Sequence, residues 1–276
     1  MKHLLYTAIT FGIGLALIGA CSSRNEDKDE TAPAPAEDSL PTTIRILTEA
    51  VTDGDAKRFA SLVSYPLTRP YPLHDIENEN AMVAYYAVLV DDSLRNVITA
   101  ARDSDWYDSG WRGWSLGDGD YLWVDEKLYD VPYLSEREKS RRTDLEQREM
   151  ESLPKKYRKG WHPLACMRSV SNGAVYRLDH NPSAHPGQAY RMMMWDGESL
   201  LRLEPKKVFI GRCHTEGTAN VHTYFLAAST GAKAVYMADI NSAEERPRIL
   251  FTDSIGNNHT DTVAAAYWLD LLPPAR

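Results

Sequence analysis

The sequence predicts an α+β fold in which N-terminal helices pack on an antiparallel sheet and an all-β sandwich or barrel follows. Three observations lead to this prediction. Apolar residues recur at helical spacing over residues 42–101, the period changes to two after Asp105, and short apolar runs alternate with turns from Trp161 onward. A charged stretch at 135–160 separates the two regions, so we expect an α+β domain at 42–134 and an all-β domain at 161–276.

The first twenty-one residues predict an export signal. Lys2 and His3 give a positive start, residues 4–20 are apolar, and small residues precede Cys21. A soluble core helix is the competing interpretation, but the three glycines in this run weaken a helix. The Ile-Gly-Ala-Cys ending resembles the lipobox of bacterial lipoproteins, whose cysteine is diacylated and becomes the mature N-terminus. The resemblance implies that residues 1–20 are removed and that Cys21 anchors the chain to a membrane through acyl chains.

Residues 21–41 are predicted to form a disordered tether. Residues 22–41 hold six acidic and two basic side chains, three prolines and one large apolar residue, Leu40, too little apolar surface to offset ordering entropy. Ser22 after the cysteine, rather than Asp, resembles the sorting signal of outer-membrane lipoproteins. Residues 26–30 are acidic and resemble the export tags of surface-displayed lipoproteins, although a solvated linker explains them equally well.

The whole chain of 276 residues has a formal net charge of -8, which argues against binding nucleic acid or anionic lipid through net charge. No second apolar stretch approaches the roughly 20 residues needed to cross a bilayer. The expected location is therefore the outer membrane, with the protein held by its lipid and facing the periplasm or the cell surface.

Four helices are expected in the first domain. The first begins at Thr42 or Thr43 and stops at Asp53-Gly54, and Asp55 caps a short second one. The third covers residues 78–90, and Ser93 opens the fourth.

A hairpin is expected after the helices, because Gly117-Asp118-Gly119-Asp120 separates two strand-like runs at 111–116 and 121–124. A calcium loop is excluded, since no Glu occupies the twelfth position that an EF-hand requires. Four tryptophans surround this hairpin, and they either stack on a sugar or pack against the helices: Trp106, Trp111, Trp114 and Trp123.

Residues 59–130 resemble a module found in poorly characterised extracytoplasmic proteins with NTF2-like or cystatin-like folds. The resemblance is carried by short motifs: Tyr65-Pro66-Leu67, Asp75-Ile76, Tyr85-Tyr86, Gly110-Trp111-Arg112-Gly113, Gly117-Asp118-Gly119 and Leu122-Trp123. It implies helices laid across an antiparallel sheet, and it implies no particular reaction.

The charged stretch at 135–160 predicts a solvated helix that bridges the two domains and breaks at Pro154. Ser135 and Glu138 form a capping box, and large apolar side chains are few. Beyond it, seven apolar runs predict the strands of the β domain: 174–178, 189–195, 208–212, 223–228, 234–240, 249–251 and 263–269.

The proline-rich loop at 65–73 is a candidate recognition loop. Its Arg69 and Tyr71, together with Trp111 and Arg112, are the hypothetical contact surface for a protein or glycan partner, since Tyr and Arg are favoured at binding hot spots. The alternative is that the prolines stiffen a connection and the tyrosines pack on the sheet.

Cys166 and Cys213 are the two thiols left after lipidation. They either form a disulfide, which an exported protein permits, or remain two separate free cysteines.

The sequence contains no catalytic signature. There is no Gly-x-Ser-x-Gly elbow, no His-Glu-x-x-His and no phosphate-binding glycine loop, and the histidines lack the spacing of a metal motif. We therefore expect neither cofactor nor metal, and a non-catalytic binding or assembly component of the cell envelope. Three alternatives remain open: a hydrolase with unrecognised carboxylates, a small-ligand pocket protein, and an inhibitor of cell-wall enzymes.

Overall fold

The computed structural model describes residues 40–216, 221–238 and 247–272. The signal segment, Cys21 and the tether up to Ser39 lie outside the described residues, so the predictions made for them are untested. From Leu40 to Arg276 the chain belongs to one compact unit. Within the described ranges, no helix has the length and apolar character needed to cross a bilayer.

Four helices open the fold: α1 (Thr42–Asp53), α2 (Ala56–Ser61), α3 (Glu79–Leu89) and α4 (Asp92–Ala100). The expected stop after α1 is confirmed, because Gly54 adopts the left-handed conformation that suits a helix C-cap. The Asp55 carboxylate accepts the Lys57 and Arg58 N–H groups at the start of α2, as predicted. The fourth helix begins slightly earlier than expected, since Asp91 rather than Ser93 is its N-cap.

A small antiparallel sheet follows, made of β1 (Trp106–Asp108), β2 (Trp114–Leu116), β3 (Leu122–Val124) and β4 (Leu128–Asp130), each hydrogen-bonded to the next. The predicted hairpin joins β2 to β3 and pairs Leu116 with Leu122. The strand before it is shorter than expected, because residues 110–112 form a turn of 3-10 helix. Buried side chains of this sheet share one core with those of α1–α4: Trp106, Leu116, Leu122, Val124 and Leu128.

The charged helix α5 (Glu136–Ser152) begins with the predicted capping box at Ser135 and ends before Pro154. The expectation that it is solvated is wrong for one face, where Glu138 and Glu149 are buried. These two residues are eleven positions apart, about three helical turns, so they point in the same direction. Their burial is made possible by arginines from other elements, which local sequence does not reveal.

The rest of the chain forms a closed antiparallel barrel of eight strands. In chain order they are β5 (His162–Ser169), β6 (Val175–His180), β7 (Tyr190–Trp195), β8 (Lys207–Glu216), β9 (Val221–Ala227), β10 (Lys233–Ala238), β11 (Arg248–Thr252) and β12 (Asn258–Ala266). Each strand pairs with the next, and β12 pairs with β5 to close the ring. Of the two expected β architectures the structure is thus a barrel. The seven predicted runs correspond to β6–β12, and β5 was not anticipated.

Side chains fill the barrel interior. Residues of one parity along each strand point inward and form a single cluster, which includes Tyr176, Met192, Phe209, Leu226, Tyr236, Ile249 and Phe251. Met192 and its neighbours are therefore core fillers. The alternate residues of β5–β7, such as Cys166, Val175 and Met193, face outward.

A second apolar cluster covers the outside of that wall. Two short helices, α6 (Gly197–Leu201) and α7 (Trp268–Leu271), lie beyond the strands, and Trp268 packs on Trp195 of β7 with ring centroids 4.6 Å apart. Leu153, directly after α5, belongs to the same cluster. The segment carrying α5 is thus packed against the barrel.

Candidate binding surface

The outward side of the four-stranded sheet carries exposed aromatic side chains. Because Trp106 and Leu128 point into the core, strand alternation turns Tyr107 of β1 and Tyr129 of β4 toward solvent. Trp111, in the loop between β1 and β2, has 80 % of its surface exposed. We call Tyr107, Trp111, Arg112 and Tyr129 the aromatic face.

The loop that carries Trp111 is fixed by its own backbone. The Asp108 carboxylate accepts the Gly110 N–H at 2.8 Å, and the Gly113 N–H donates to the Gly110 carbonyl at 2.8 Å. Gly113 has φ 74°, and a Cβ there would lie 2.4 Å from the Val124 carbonyl oxygen. Only glycine fits that position, so the close approach of this loop to the end of β3 depends on Gly113.

Arg112 is part of the same arrangement. Its guanidinium lies 5.1 Å from the centroid of the Trp111 ring, a cation–π contact, and its carbonyl accepts the Tyr129 hydroxyl at 2.8 Å. The Arg112 cation, the Trp111 ring and the Tyr129 ring are therefore neighbours on this surface.

The other three tryptophans of this region are packed or partly packed. Trp106 is buried, Trp114 contributes to the core, and the Trp123 indole N–H donates to the Gly119 carbonyl at 3.1 Å. Packing within the fold therefore applies to Trp106, Trp114 and Trp123, whereas the exposed Trp111 ring is available for contact with a partner.

An open groove of about 410 Å³ adjoins the aromatic face. Tyr107 belongs to both, and the groove runs between α4 and the sheet, with Asp105 and Asp118 among its lining residues. An aromatic platform beside carboxylates can stack on the apolar face of a sugar ring and accept its hydroxyl groups.

The sequence placed Arg69 and Tyr71 on a contact surface, but in the structure Arg69 is buried and Tyr71 is partly buried. The Arg69 guanidinium donates to the Glu138 carboxylate and to the Tyr133 carbonyl, and its side chain is fully buried. The Tyr71 hydroxyl donates to Glu149 at 2.7 Å. Arg69 is therefore not part of an exposed surface, whereas Tyr71 is partly buried and binds a buried carboxylate of α5 through its hydroxyl.

The proline-rich loop packs within the chain. The His74 ring stacks on Tyr267 at 3.8 Å between centroids, and the Tyr267 hydroxyl accepts the Asp75 N–H at 2.8 Å. Tyr267 follows β12, so the loop is docked at one end of the barrel. Of the two tyrosines in this loop, Tyr65 packs against the core shared by the helices and the small sheet, and Tyr71 packs against the cluster outside the barrel.

A buried chain of charges continues from Tyr71 into the outer wall of the barrel. Glu149 lies 3.3 Å from the Arg177 guanidinium, Arg177 donates to Asp179 at 2.7 Å, and Asp179 also accepts from Arg191. Burial raises the pKa of the Glu149 carboxyl to about 7, against the opposing effect of Arg177. This network was not predicted from the sequence. The signal that could have revealed it is the alternation of Arg177 and Asp179 with apolar residues in β6, which places both side chains on one face of the strand.

A cavity of about 170 Å³ lies beside this network. Arg69, Tyr71 and Cys166 are among its lining residues, whereas Glu149, Arg177 and Asp179 are not. The geometry of these last three residues fits a structural link between α5 and the barrel.

Cys166 and Cys213 are both free thiols, so the proposed disulfide is not formed in this structure. Cys166 of β5 belongs to the cluster outside the barrel, while Cys213 of β8 pairs across strands with Tyr224, whose ring joins the inner core. The two side chains thus point to opposite sides of the barrel wall, and two strands separate β5 from β8. A disulfide requires Cα atoms within about 7 Å and converging side chains.

Within the part of the chain that the structure describes, no three His, Cys, Asp or Glu side chains are placed to hold a metal ion. Comparison with family models, curated proteins and solved structures found no match to this chain.

Proposed function

We propose that this protein is a lipid-anchored, non-catalytic binding or assembly component of the cell envelope, with the aromatic face as its contact surface. The observation that carries the proposal is Trp111, whose large apolar ring is 80 % exposed and lies 5.1 Å from the Arg112 guanidinium. Trp, Tyr and Arg are the residues most enriched at binding hot spots. Because the Trp111 ring contributes little to the core, binding to a partner is the most direct explanation for its exposure.

A glycan is the partner class that the surroundings favour. The groove beside Tyr107 adds the Asp105 and Asp118 carboxylates to an aromatic platform, and sugars are bound by stacking together with hydrogen bonds. A protein partner is the second candidate, supported by the Trp-Arg pair. A hydrolase is less supported, since the buried carboxylates Glu138 and Asp179 are bonded to arginines.

The anchor belongs to the same proposal. Acyl chains on Cys21 would hold the protein at the outer membrane, and the tether would reach about 25 Å as a flexible coil, enough to clear the lipid headgroups. The NTF2-like or cystatin-like affiliation of the first domain is likewise proposed, and the packing of α1–α4 on an antiparallel sheet supports it.

The test of the contact surface is recovery of partners from envelope extract, divided into a polysaccharide and a protein fraction. Trp111→Ala combined with Arg112→Ala should reduce recovery at least tenfold, because loss of a hot-spot residue costs about 2 kcal/mol or more. Ile255→Ala is the control, since Ile255 is 83 % exposed in the hairpin between β11 and β12. Equal recovery by the double variant and the control would refute the assignment of this surface.

The test of the anchor is Cys21→Ala. This variant should lose metabolic acyl labelling and move from the membrane pellet to the soluble envelope fraction. A variant that stays labelled and membrane-bound would show that Cys21 is not the lipidation site.

A further inference from the structure

Four adjacent strands of the barrel are apolar on both faces. The runs 208–210, 224–226, 234–237 and 249–251 are continuously apolar, whereas a strand with one solvated face alternates apolar and polar residues. The inward members belong to the barrel core, including Phe209, Leu226, Tyr236 and Phe251. The outward members are a second apolar set that the core does not explain.

These outward side chains lie side by side in solvent. Phe225 pairs across strands with Val235, which pairs with Leu250, so one row crosses β9, β10 and β11. Ile210, Phe225, Met237 and Leu250 are each between 41 and 46 % exposed. We call Ile210, Phe225, Val235, Met237 and Leu250 the outer apolar face. It spans four strands, about 14 Å at the usual strand spacing.

On the opposite wall of the barrel, the outward apolar side chains are covered by other parts of the chain. There the outward Val175, Met193 and Trp195 are buried under Trp268 and Leu153. Large contiguous apolar patches on soluble proteins mark interaction surfaces.

Basic side chains border the outer apolar face. Arg212 points outward from β8, on the same side as Phe225, and Lys233 points outward from β10, on the same side as Val235. The Arg212 guanidinium lies 6.0 Å from the centroid of the Phe225 ring, so cation and apolar surface are contiguous. This clustering occurs in a chain whose net charge is -8, which makes the local excess of cations distinctive.

We propose that the outer apolar face rests on an anionic lipid surface. Lys and Arg beside exposed aromatic and aliphatic side chains are the composition of interfacial membrane-binding surfaces, in which the apolar groups enter the headgroup region and the cations meet lipid phosphates. A second copy of the chain fits less well, because pairing this face with itself brings Arg212 and Lys233 near their equivalents. The contact involves neither Cys21 nor the aromatic face, so it stands apart from the proposed function.

The experiment uses residues 40–276, which form one compact unit without the lipidated segment. Cosedimentation is measured with phosphatidylcholine vesicles, with and without phosphatidylglycerol. The protein should sediment with the anionic vesicles, and added salt should weaken binding. Arg212→Gln with Lys233→Gln should weaken it about fivefold for each cation removed, since a basic residue near an anionic surface contributes about that factor.

A matched pair of leucines tests the apolar part. Leu250→Glu places a charge in the face, whereas Leu201→Glu makes the same change on α6, at a position that is 71 % exposed. Leu250→Glu should abolish sedimentation and Leu201→Glu should leave it unchanged, with both variants melting like the parent chain. Failure of the parent chain to sediment overturns the proposal. A parent dimer that Leu250→Glu converts to a monomer would also overturn it, because the face would then belong to a second copy. Equal loss of vesicle binding in Leu250→Glu and Leu201→Glu would overturn it as well.

Discussion

Arg69 and Glu138, which lie 69 positions apart in the sequence, form a buried bidentate ion pair. The Arg69 Nε–H donates to Glu138 Oε1 at 2.9 Å, an Nη2–H donates to Oε2 at 3.0 Å, and both side chains are fully inaccessible to solvent. The same Glu138 carboxylate closes the capping box at the start of α5. One residue therefore fixes both the beginning of the helix and the position of the proline-rich loop.

Removing one partner of this pair should be strongly destabilising. Arg69→Ala leaves the Glu138 carboxylate buried without its cation, and breaking a buried pair in this way costs about 3–5 kcal/mol. The surface pair of Arg58 with Glu49 is the control, and Arg58→Ala should cost about 1 kcal/mol or less. Urea unfolding of both variants measures the difference. A loss below about 1 kcal/mol for Arg69→Ala would show that the pair is not closed in solution.

Glu149 should make stability depend on pH near neutrality. Its pKa is raised from the ordinary 4.5 to about 7 in the folded chain, mainly because burial disfavours the charged form. A raised pKa means that the folded state keeps a proton that the unfolded state has already lost. The free energy of unfolding should therefore fall as the pH rises from about 4.5 to about 7, by about 3 kcal/mol from this group, and level off above that range.

The Glu149→Gln variant isolates this effect. Because glutamine does not titrate, the slope of stability against pH between 5 and 7 should become shallower by the contribution of one proton. Glu151→Gln, an exposed position on the same helix, should keep the parent slope. Parallel slopes for the parent and Glu149→Gln would mean that Glu149 titrates at its ordinary pKa.

The two described cysteines should react as separate thiols of unequal access. Burial raises the pKa of both, and Cys166 is buried whereas Cys213 is partly exposed. In native protein at neutral pH, iodoacetamide should modify Cys213 slowly and Cys166 not at all over the same time, because the thiolate is the reactive form. Denatured, unreduced residues 40–276 should take up two labels per chain. Uptake of fewer than two would indicate a disulfide after all.

Truncation of Trp268 and of Trp111 to alanine should change stability by very different amounts. Trp268 is fully buried, and its indole N–H donates to the Ser152 hydroxyl at 2.7 Å, so Trp268→Ala should cost about 3–5 kcal/mol. Trp111 is mostly exposed, and Trp111→Ala should change stability by no more than about 0.5 kcal/mol. Thermal melts compare the two. A large loss of stability on truncating Trp111 would mean that its role is packing within the fold, which would contradict the proposed contact surface.

Local sequence patterns predicted most of the elements correctly. Gly54 and Asp55 mark the boundary between α1 and α2, the Gly-Asp-Gly-Asp turn marks the β2–β3 hairpin, and Ser135 marks the start of α5. Each of these signals acts between residues a few positions apart, through a cap or a turn. Strand β5 was missed because His162, Pro163 and Arg168 interrupt its apolar pattern, and its place is stabilised by pairing with β6 and β12.

The candidate surface was predicted only in part. Trp111 and Arg112 were identified by composition and by their position between glycines, and the structure places both outside the core. Arg69 and Tyr71 were chosen for the same reason, as an arginine beside an aromatic residue. In the structure, however, Arg69 is buried and Tyr71 is partly buried. Nothing within a few residues of Arg69 reveals Glu138 as its partner, because that contact joins segments 69 positions apart.

The sequence by itself thus determined helices α1–α5, the β2–β3 hairpin and the runs that become β6–β12, since these depend on periodicity and on contacts between near neighbours. Tertiary structure alone decided that the strands close into a barrel, that one face of a charged helix is buried, and that Cys166 and Cys213 point to opposite sides of a wall. The physical reason is that exposure of a side chain depends on what packs over it. For Arg69, Tyr71 and Glu149 those covering groups come from elements that are distant in the chain.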